Sequence, residues 1–438
     1  MLSDPIVALA TPPGRSALAV IRLSGRGSFE VAARVISRFR TAPPREARLA
    51  SFRDGDSVLI DRGLYLVFPG PHSETGEDIV EFQCHGGHVV PARLLAAIEA
   101  AGARPAFAGE FTRRAVLNGK MDLLQAEGLG DLVDAGSGAQ ARAAIGQMEG
   151  GLSRRITALR SELVDFLAML AYELDFPEED DGPIPRAQLE AKRAAIVTEI
   201  SRLLATAPLA ERVRVGALVV LAGPPNAGKS SLFNSLLGTE RALVTELPGT
   251  TRDAIEARVE VLGWPVRLVD TAGLGETSDR IDALGQAMSA RYLEAADLIL
   301  YCDDGSSSQV PPPGHSDRMI RLSTKADLPS SRERDLRISA MTGQGIDQLR
   351  RTLAERLFVS EAALADLEPA LTRDRHRVAL SAACDALGEA APQLAPGGDA
   401  VLAAHHVQYA VRALDSLMGA VDIEEILERV FASFCVGK

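Results

Sequence analysis

The chain has 438 residues, 46% hydrophobic and 24% charged, a composition that suits a globular protein with several domains and excludes a disordered or collagen-like one. Its 47 Lys and Arg against 59 Asp and Glu leave a net charge of −12, which excludes a broad basic surface for non-specific nucleic-acid binding but leaves room for a local basic site. Its four cysteines form no CxxC pair, and no apolar run reaches the ~18 residues of a membrane-spanning helix, so a cytoplasmic protein is expected, with no metal knuckle and no membrane.

The N-terminal stretch MLSDPIVALATPPGR has no basic start and is broken by Pro12 and Pro13, so it does not read as a signal peptide. Residues 1–119 then mix strand and helix signals. Segments 17–23 (ALAVIRL) and 62–68 (RGLYLVF) read as short buried strands, and 78–84 (DIVEFQC) alternates as a half-buried strand does. Segments 29–39 (FEVAARVISRF) and 89–102 (VVPARLLAAIEAAG) read as helices, the second stopped by Gly102. An α+β domain is expected over 1–119. From about 120 the strand signals vanish. Leu152, Ile156, Leu159, Leu163, Phe166, Leu170 and Leu174 recur at three- and four-residue steps as one apolar stripe on a long helix, which Pro177 must end. The acidic run Glu178–Asp181 reads as a solvated loop. Segment 213–222 (VRVGALVVLA) reads as a strand, and strand–loop–helix alternation continues to 358. Helical patterns return at 370–390 and 400–434, joined by the linker PQLAPGG. The expected architecture is a helical domain made of 120–212 and 359–438, with an α/β domain over 213–358 inserted between its halves.

The inserted domain carries the strongest motif. GPPNAGKS, Gly223–Ser230, follows a strand and opens a helix, as G-x-x-x-x-G-K-[ST] must. Its glycines let backbone N–H groups turn toward phosphate oxygens, with the helix dipole behind them. Lys229 reaches the terminal phosphates and the Ser230 hydroxyl ligates Mg²⁺. Asp270, in VRLVDTAG, can hold that metal through water, and the Gly273 N–H can sense the γ-phosphate. PGTTRD (248–253) sits where a switch loop belongs. TKAD (324–327) and SAMTGQG (339–345) follow later strands, and Asp327 can accept two N–H bonds from guanine. Five motifs in this order mark a GTPase. Two positions depart from the pattern: Thr324 stands where Asn is usual, and Leu274 stands where a Ras-like enzyme orients water with Gln.

The whole chain resembles the MnmE (TrmE) family of tRNA-modification GTPases. The resemblance runs through DPIVALATPPGRSALAVIRLSG, PGPHSETGEDIVEFQCHGG, GEFTRRAVLNGKMDLLQAEGL and DFPEED, then the GTPase motifs, to the terminal FCVGK. It implies a multidomain protein: an N-terminal α+β domain that binds folate and dimerises, a discontinuous all-α domain, and an inserted Ras-like α/β P-loop GTPase domain. It also implies a homodimer that works with a second protein, MnmG (GidA), which carries FAD and uses NADH. The pair adds an aminomethyl or carboxymethylaminomethyl group to carbon 5 of the wobble uridine of certain tRNAs. The one-carbon unit comes from methylene- or formyl-tetrahydrofolate, and the amine from ammonium or glycine.

Carried over to this sequence, the family's folate residues fall on Arg22, Glu81 and Lys120, with Lys438 from the tail. Its GTP contacts fall on Asn226, Ala227, Gly228, Lys229, Ser230 and Ser231 of the P-loop, and on Thr245, Glu246, Leu247, Pro248, Gly249, Thr250 and Thr251 of the switch segment. Further contacts fall on Asp270, Thr271, Ala272 and Gly273, and on Thr324, Lys325, Asp327, Ser339 and Ala340 at the base. Mg²⁺ maps to Ser230 and Thr251, and a potassium ion to Asn226, Thr245, Leu247 and Thr250. The family's water-orienting Glu is here Asp282, one methylene shorter.

The terminal CVGK fits prenylation poorly, because Gly437 is not aliphatic, Lys438 is not a usual last residue, and VDIEEILERV upstream is acidic. The resemblance places this tail at the folate pocket, reached across the dimer. There Cys435 either attacks carbon 6 of the uridine or only holds the base. Cys84 is expected beside the site, and Cys302 and Cys384 in cores. A ribosome-assembly GTPase is the alternative reading; such proteins share the GTPase core but usually carry a basic RNA-binding module, which this acidic chain lacks.

Overall fold

The computed structural model describes residues 4–41, 43–175, 184–238, 255–270, 290–306, 311, 314–328, 336–358, 371–419, 434 and 437. The chain divides into two compact units, Met1–Gly130 with Asp415–Lys438, and Asp131–Leu414.

The first unit contains β1 (Ile6–Leu9), β2 (Leu18–Ser24), α1 (Ser28–Val35), β3 (Arg48–Arg53), β4 (Leu59–Phe68), β5 (Ile79–His85), α2 (Val90–Ala100), β6 (Arg104–Pro105) and α3 (Glu110–Leu117), after which α4 (Leu123–Asp134) begins. Among the described residues its sheet has the order β3-β4-β5-β2-β1-β6, antiparallel except for the β1–β6 pair. Alternation decides which face is covered. Val80, Phe82 and Cys84 of β5, with Ala19, Ile21 and Leu23 of β2, bury one face against α1 and α2. The residues between them, Arg22 and Glu81 included, share the other face. The register sets Arg22 directly opposite Glu81. Helix α1 stops at Val35, four residues short of the sequence expectation, because Ile36 turns extended and bridges to Phe52. Gly102, at φ +116, ends the α2 turn as expected.

In the second unit α5 (Gly138–Met148), α6 (Gly151–Asp175) and α7 (Arg186–Val215) precede the α/β block, and α10 (Asp374–Leu394) follows it, leading into α11 (Ala400–Met418). Leu152, Ile156, Leu159, Leu163, Phe166 and Leu170 of α6 are all buried. The Leu174 side chain and the acidic run Glu178–Asp181 lie outside the described residues. Helix α10 packs along α7: Arg186 donates to the Leu394 carbonyl (3.0 Å) and Arg193 to that of Leu387 (3.3 Å). Thus helices from both sides of the inserted block form one helical layer.

The block itself contains β7 (Ala217–Ala222), α8 (Lys229–Leu237), β8 (Ile255–Val261), β9 (Trp264–Asp270), β10 (Leu298–Asp303), β11 (Met319–Ser323), β12 (Leu336–Arg337) and α9 (Ile346–Phe358). Its sheet order is β12-β11-β10-β7-β9-β8, parallel throughout except for the β8–β9 hairpin. Every residue of β7 and β10 is buried, as a parallel strand covered on both faces requires.

Two sequence expectations shift. The run 213–222 is not all strand: Val213–Val215 complete α7, the Gly216 N–H closes onto the Arg212 carbonyl, and the strand starts at Ala217. The linker PQLAPGG is shorter than expected, because α10 continues through Pro392 to Leu394, with Leu394 buried and its carbonyl taken up by Arg186. The expected helix over 400–434 is described only as far as Met418.

Candidate functional site

The end of β7 is shaped by glycine. Gly223 has φ +135, and a Cβ there would stand 2.2 Å from the Cys302 carbonyl oxygen of β10, so only glycine lets the loop leave the sheet at this point. The chain then passes through Asn226 (φ 61) and Gly228 (φ 87), which heads α8 with no side-chain cap. The first N–H groups of that helix are therefore left for an anion. Lys229, 7% exposed, folds back so that its ammonium donates to the carbonyls of Gly223 (3.0 Å) and Pro224 (2.8 Å). The Ser230 hydroxyl donates to the Asp270 carboxylate at 2.7 Å, and Asp270 is buried. A hydroxyl and a carboxylate at the ends of neighbouring elements form a hard-oxygen pair that fits Mg²⁺. The neighbours of β7 are β9 on one side and β10 on the other, so this loop stands where the strand order reverses, the crevice in which open α/β sheets bind ligands.

The base loops close beside it. The Ala326 N–H donates to the Ile338 carbonyl (3.0 Å), tying the TKAD loop to the SAM loop. Asp327 is exposed, and a hydrogen bond from the Ser339 hydroxyl and one from its own backbone N–H hold its carboxyl below the ordinary value, so it is an anionic acceptor at neutral pH. Thr324 is buried against the P-loop: a Cβ on Gly228 would lie 3.8 Å from the Thr324 Cβ, and among the described residues the Thr324 hydroxyl has no hydrogen-bond partner. Lys325, at φ 54, pairs with Asp304 at 2.7 Å; that bond, with one from the Ser306 hydroxyl, pulls the Asp304 carboxyl down to about 2. Asp304 escaped the sequence reading, although an acidic pair directly after the buried run LILYC was the available signal.

In the first unit Arg22 and Glu81 meet as their register demands, with the guanidinium 3.0 and 3.2 Å from one carboxylate oxygen. Arg22 also pairs with Glu74 at 2.6 Å and lies over the Phe111 ring at 5.8 Å. Lys120 donates to the Pro71 carbonyl at 2.8 Å and borders a cavity of about 390 Å³ with Val116, Met121 and Gln125. Arg22 and Lys120 thus both touch the loop over 69–78, and Glu81 is joined to it through Arg22. Gly437 of the tail packs on the backbone of Leu9 and Ala10 of its own chain, so close that a Cβ would stand 2.5 Å from the Leu9 carbonyl oxygen. Gly437 thus lies beside the end of the first strand of its own chain.

Below the loop lies an ionic cluster the sequence reading missed. Arg114, 1% exposed, bonds the carboxylates of Asp4 (3.1 Å), Glu77 (3.1 Å) and Glu110 (2.9 Å), while Arg104 holds Asp4 and Glu110 from outside (both 2.6 Å). The Glu110–Arg114 spacing of four was its only trace in the sequence. Burial alone would raise the Glu110 and Asp4 carboxyls; the bonds from Arg104 and the neighbouring charge of Arg114 outweigh it, and both stay below their ordinary values.

Thr245, Glu246, Leu247, Pro248, Gly249, Thr250 and Thr251, together with Thr271, Ala272, Gly273, Asp282, Cys435 and Lys438, lie outside the described residues. Burial pushes the thiols of Cys84 and Cys302 up to about 11 and about 12, which makes them poor nucleophiles. Cys384 is partly exposed and not a core residue as expected, since α10 turns it toward the edge of its packed face. Among the described residues no helix is long and apolar enough to cross a membrane.

A parallel sheet with one antiparallel edge hairpin, a P-loop at the end of its central strand, and Asp327 at its base loop define a P-loop GTPase domain of the Ras-like class. The comparisons with known proteins extend this to the whole chain. Residues 5–120 match the family described as GTP-binding protein TrmE N-terminus, and residues 123–435 that described as MnmE helical domain. A tRNA modification GTPase MnmE of Thermus thermophilus is 44% identical over 100% of both chains, and that of Azorhizobium caulinodans is 44% identical over 100% of this chain and 99% of its own. The solved G domain of the T. maritima FeoB iron transporter is 26% identical over 32% of this chain and 98% of its own, at a TM-score of 0.25. The chain belongs to the MnmE family of tRNA modification GTPases. These full-length matches do not favour the ribosome-assembly alternative.

Two outcomes follow from this geometry. Gly223→Ala should abolish binding of a fluorescent GDP analogue, because the added Cβ meets the Cys302 carbonyl at a φ that alanine resists; wild-type affinity in that variant would contradict the account. Asp4 and Glu110 have folded values below the ordinary 3.8 and 4.5, so in acid the unfolded chain binds more protons than the folded one. Their stabilisation is complete above about pH 4.5 and is lost as pH falls through the depressed folded values. Thermal unfolding of the first unit, followed by circular dichroism, should therefore fall steeply below that pH and stay flat just above it.

Proposed function

We propose that this chain hydrolyses GTP and, as part of a complex with MnmG, modifies carbon 5 of the wobble uridine in tRNA. The observation that carries the reading is the meeting of Lys229, Ser230, Asp270 and Asp327 around one end of the inserted sheet, in a chain that matches the tRNA modification GTPases from end to end.

In this reading Lys229 exchanges its two backbone carbonyls for the β- and γ-phosphate oxygens, a stronger charge-assisted contact. The uncapped N–H groups of α8 and the backbone around Gly228 orient the phosphates. Ser230 and Thr251 would hold Mg²⁺, with Asp270 reaching it through water, and the ion would neutralise charge on the phosphates. Asp327 accepts the N1 and N2 hydrogens of guanine, and Ser339 keeps that carboxylate ionised and aimed. Leu274 cannot polarise water. Asn226, Thr245, Leu247 and Thr250 would hold a potassium ion, whose charge would serve in place of an arginine finger, and Asp282 would orient the water.

Arg22, Glu81, Lys120 and Lys438 bind the tetrahydrofolate. The cations of Arg22 and Lys120 suit carboxylates, and Glu81 suits the N–H groups of a pterin. Cys435 either adds to the uridine or only holds it. The protein works as a cytoplasmic homodimer, with FAD and NADH supplied through MnmG. Domain boundaries at 119/120, 212/213 and 358/359 accompany this reading, with α7 running on past the second to Val215.

A strain lacking this protein should lose the modified wobble nucleoside in mass spectra of its tRNA, regain it with the wild-type chain, and not regain it with Lys229→Ala; a normal nucleoside profile in the deletion strain would reject the function. Replacing potassium by sodium should slow GTP hydrolysis by about tenfold or more; equal rates in the two salts would remove the potassium site.

A further inference from the structure

The loop over 69–78 is the element on which Arg22 and Lys120 converge, and its geometry is set from beneath. Its outer side carries Glu74, which pairs with Arg22 at 2.6 Å, and Pro71, whose carbonyl accepts from Lys120 at 2.8 Å. Between them Gly76, at φ +77, lies against the Lys120 stem: a Cβ there would stand 3.3 Å from the Lys120 Cδ. The loop's inner side is clamped. Glu77 accepts two bonds from Arg114 (3.1 and 3.3 Å) and one from the Ser24 hydroxyl (3.0 Å). Thr75 shares a hydroxyl bond with Ser24 at 2.8 Å, and its carbonyl accepts from Asn118 at 2.7 Å. Arg114 also donates to the Asp4 carbonyl at 2.8 Å, so one buried guanidinium joins the loop, α3 and the start of β1.

We propose that Arg114 and Glu77 are positioning residues for the folate site: among the described residues neither bonds Arg22, Glu81 or Lys120, and together they fix the loop that meets Arg22 and Lys120. The inference rests on the folate reading above. A buried arginine tolerates only the arrangement in which its carboxylates are all present. The loop is therefore held in one geometry, and a displaced Glu77 displaces Glu74, Gly76 and Pro71 with it. Arg104 supplies the contrast. It bonds Asp4 and Glu110 at the far side of the same cluster and, among the described residues, makes no bond to the loop.

The test uses the full-length protein, 5-formyl-tetrahydrofolate as the probe, isothermal titration calorimetry for affinity and thermal unfolding for stability. Glu77→Gln should weaken the probe by about tenfold or more. Arg104→Gln should lower the unfolding temperature by a similar amount yet keep affinity within about twofold. Thr75→Val, which keeps every ion pair and removes the hydroxyl's bonds to Ser24 and to the Glu77 N–H, should weaken the probe in the same direction and guards against a Glu77 variant that does not fold. Wild-type affinity in both Glu77→Gln and Thr75→Val, or losses that track stability equally in the Glu77 and Arg104 variants, would overturn the positioning role. Arg22→Ala separates the two levels. If it abolishes binding while Glu77→Gln leaves binding intact, the positioning role alone fails; if the wild-type protein does not bind the probe, the folate reading and the positioning role fall together.

Discussion

A side chain at position 223 would collide with the backbone of β10, and everything at the nucleotide end of the second unit follows from its absence. Because Gly223 can lie on the Cys302 carbonyl, β7 stays paired with β10 up to its last residue, Ala222, and the P-loop leaves the sheet at the point where the strand order reverses. That places Lys229 and Ser230 at the start of α8, within reach of Asp270 at the end of β9 and beside the loop that carries Thr324. The close approach is a constraint and not a source of stability: it contributes no bond, yet it decides where the others can form.

The two units solve the placing of charge in different ways. In the second, the groups meant for a ligand are left with provisional partners. Lys229 sits on backbone carbonyls and Ser230 on a carboxylate, and both contacts can be exchanged. In the first, Asp4, Glu77 and Glu110 are locked to two arginines, one of them fully buried, and this arrangement has no exchangeable member. Arg22 stands between the regimes. Glu81 holds it through strand register, while Glu74 holds it from a loop.

Much of this was legible in the sequence, for identifiable reasons. The P-loop and the base motifs are local: spacing within eight residues specifies the geometry, and the structure reproduces it at Gly228, Lys229 and Ser230. The α6 stripe was legible because its period is helical and unbroken. Val213–Val215 was misread because a short β-branched run has no period to separate the end of a helix from the start of a strand; the Gly216 N–H bond to Arg212 decides it. The pairing of Arg22 with Glu81 depends on the register between strands 59 residues apart, and the cluster at Arg114 on contacts as far as 110 residues apart. Nothing local records such distances. Without family resemblance, an arginine in EFTRR reads as a surface charge on a short helix.

One contact at the root of the inserted block bears on the order in which the protein takes shape. Arg214, at the end of α7, donates to the Thr372 carbonyl just before α10 at 2.7 Å, across 158 residues of chain. During synthesis α7 leaves the ribosome long before α10 exists to pack on it. Closing that pair from an extended chain would require a long loop to find its own ends. A block that folds first brings those ends together on its own, and α10 then arrives next to its partner. The folded block thus takes over the loop-closure cost that the interrupted helical layer would otherwise bear.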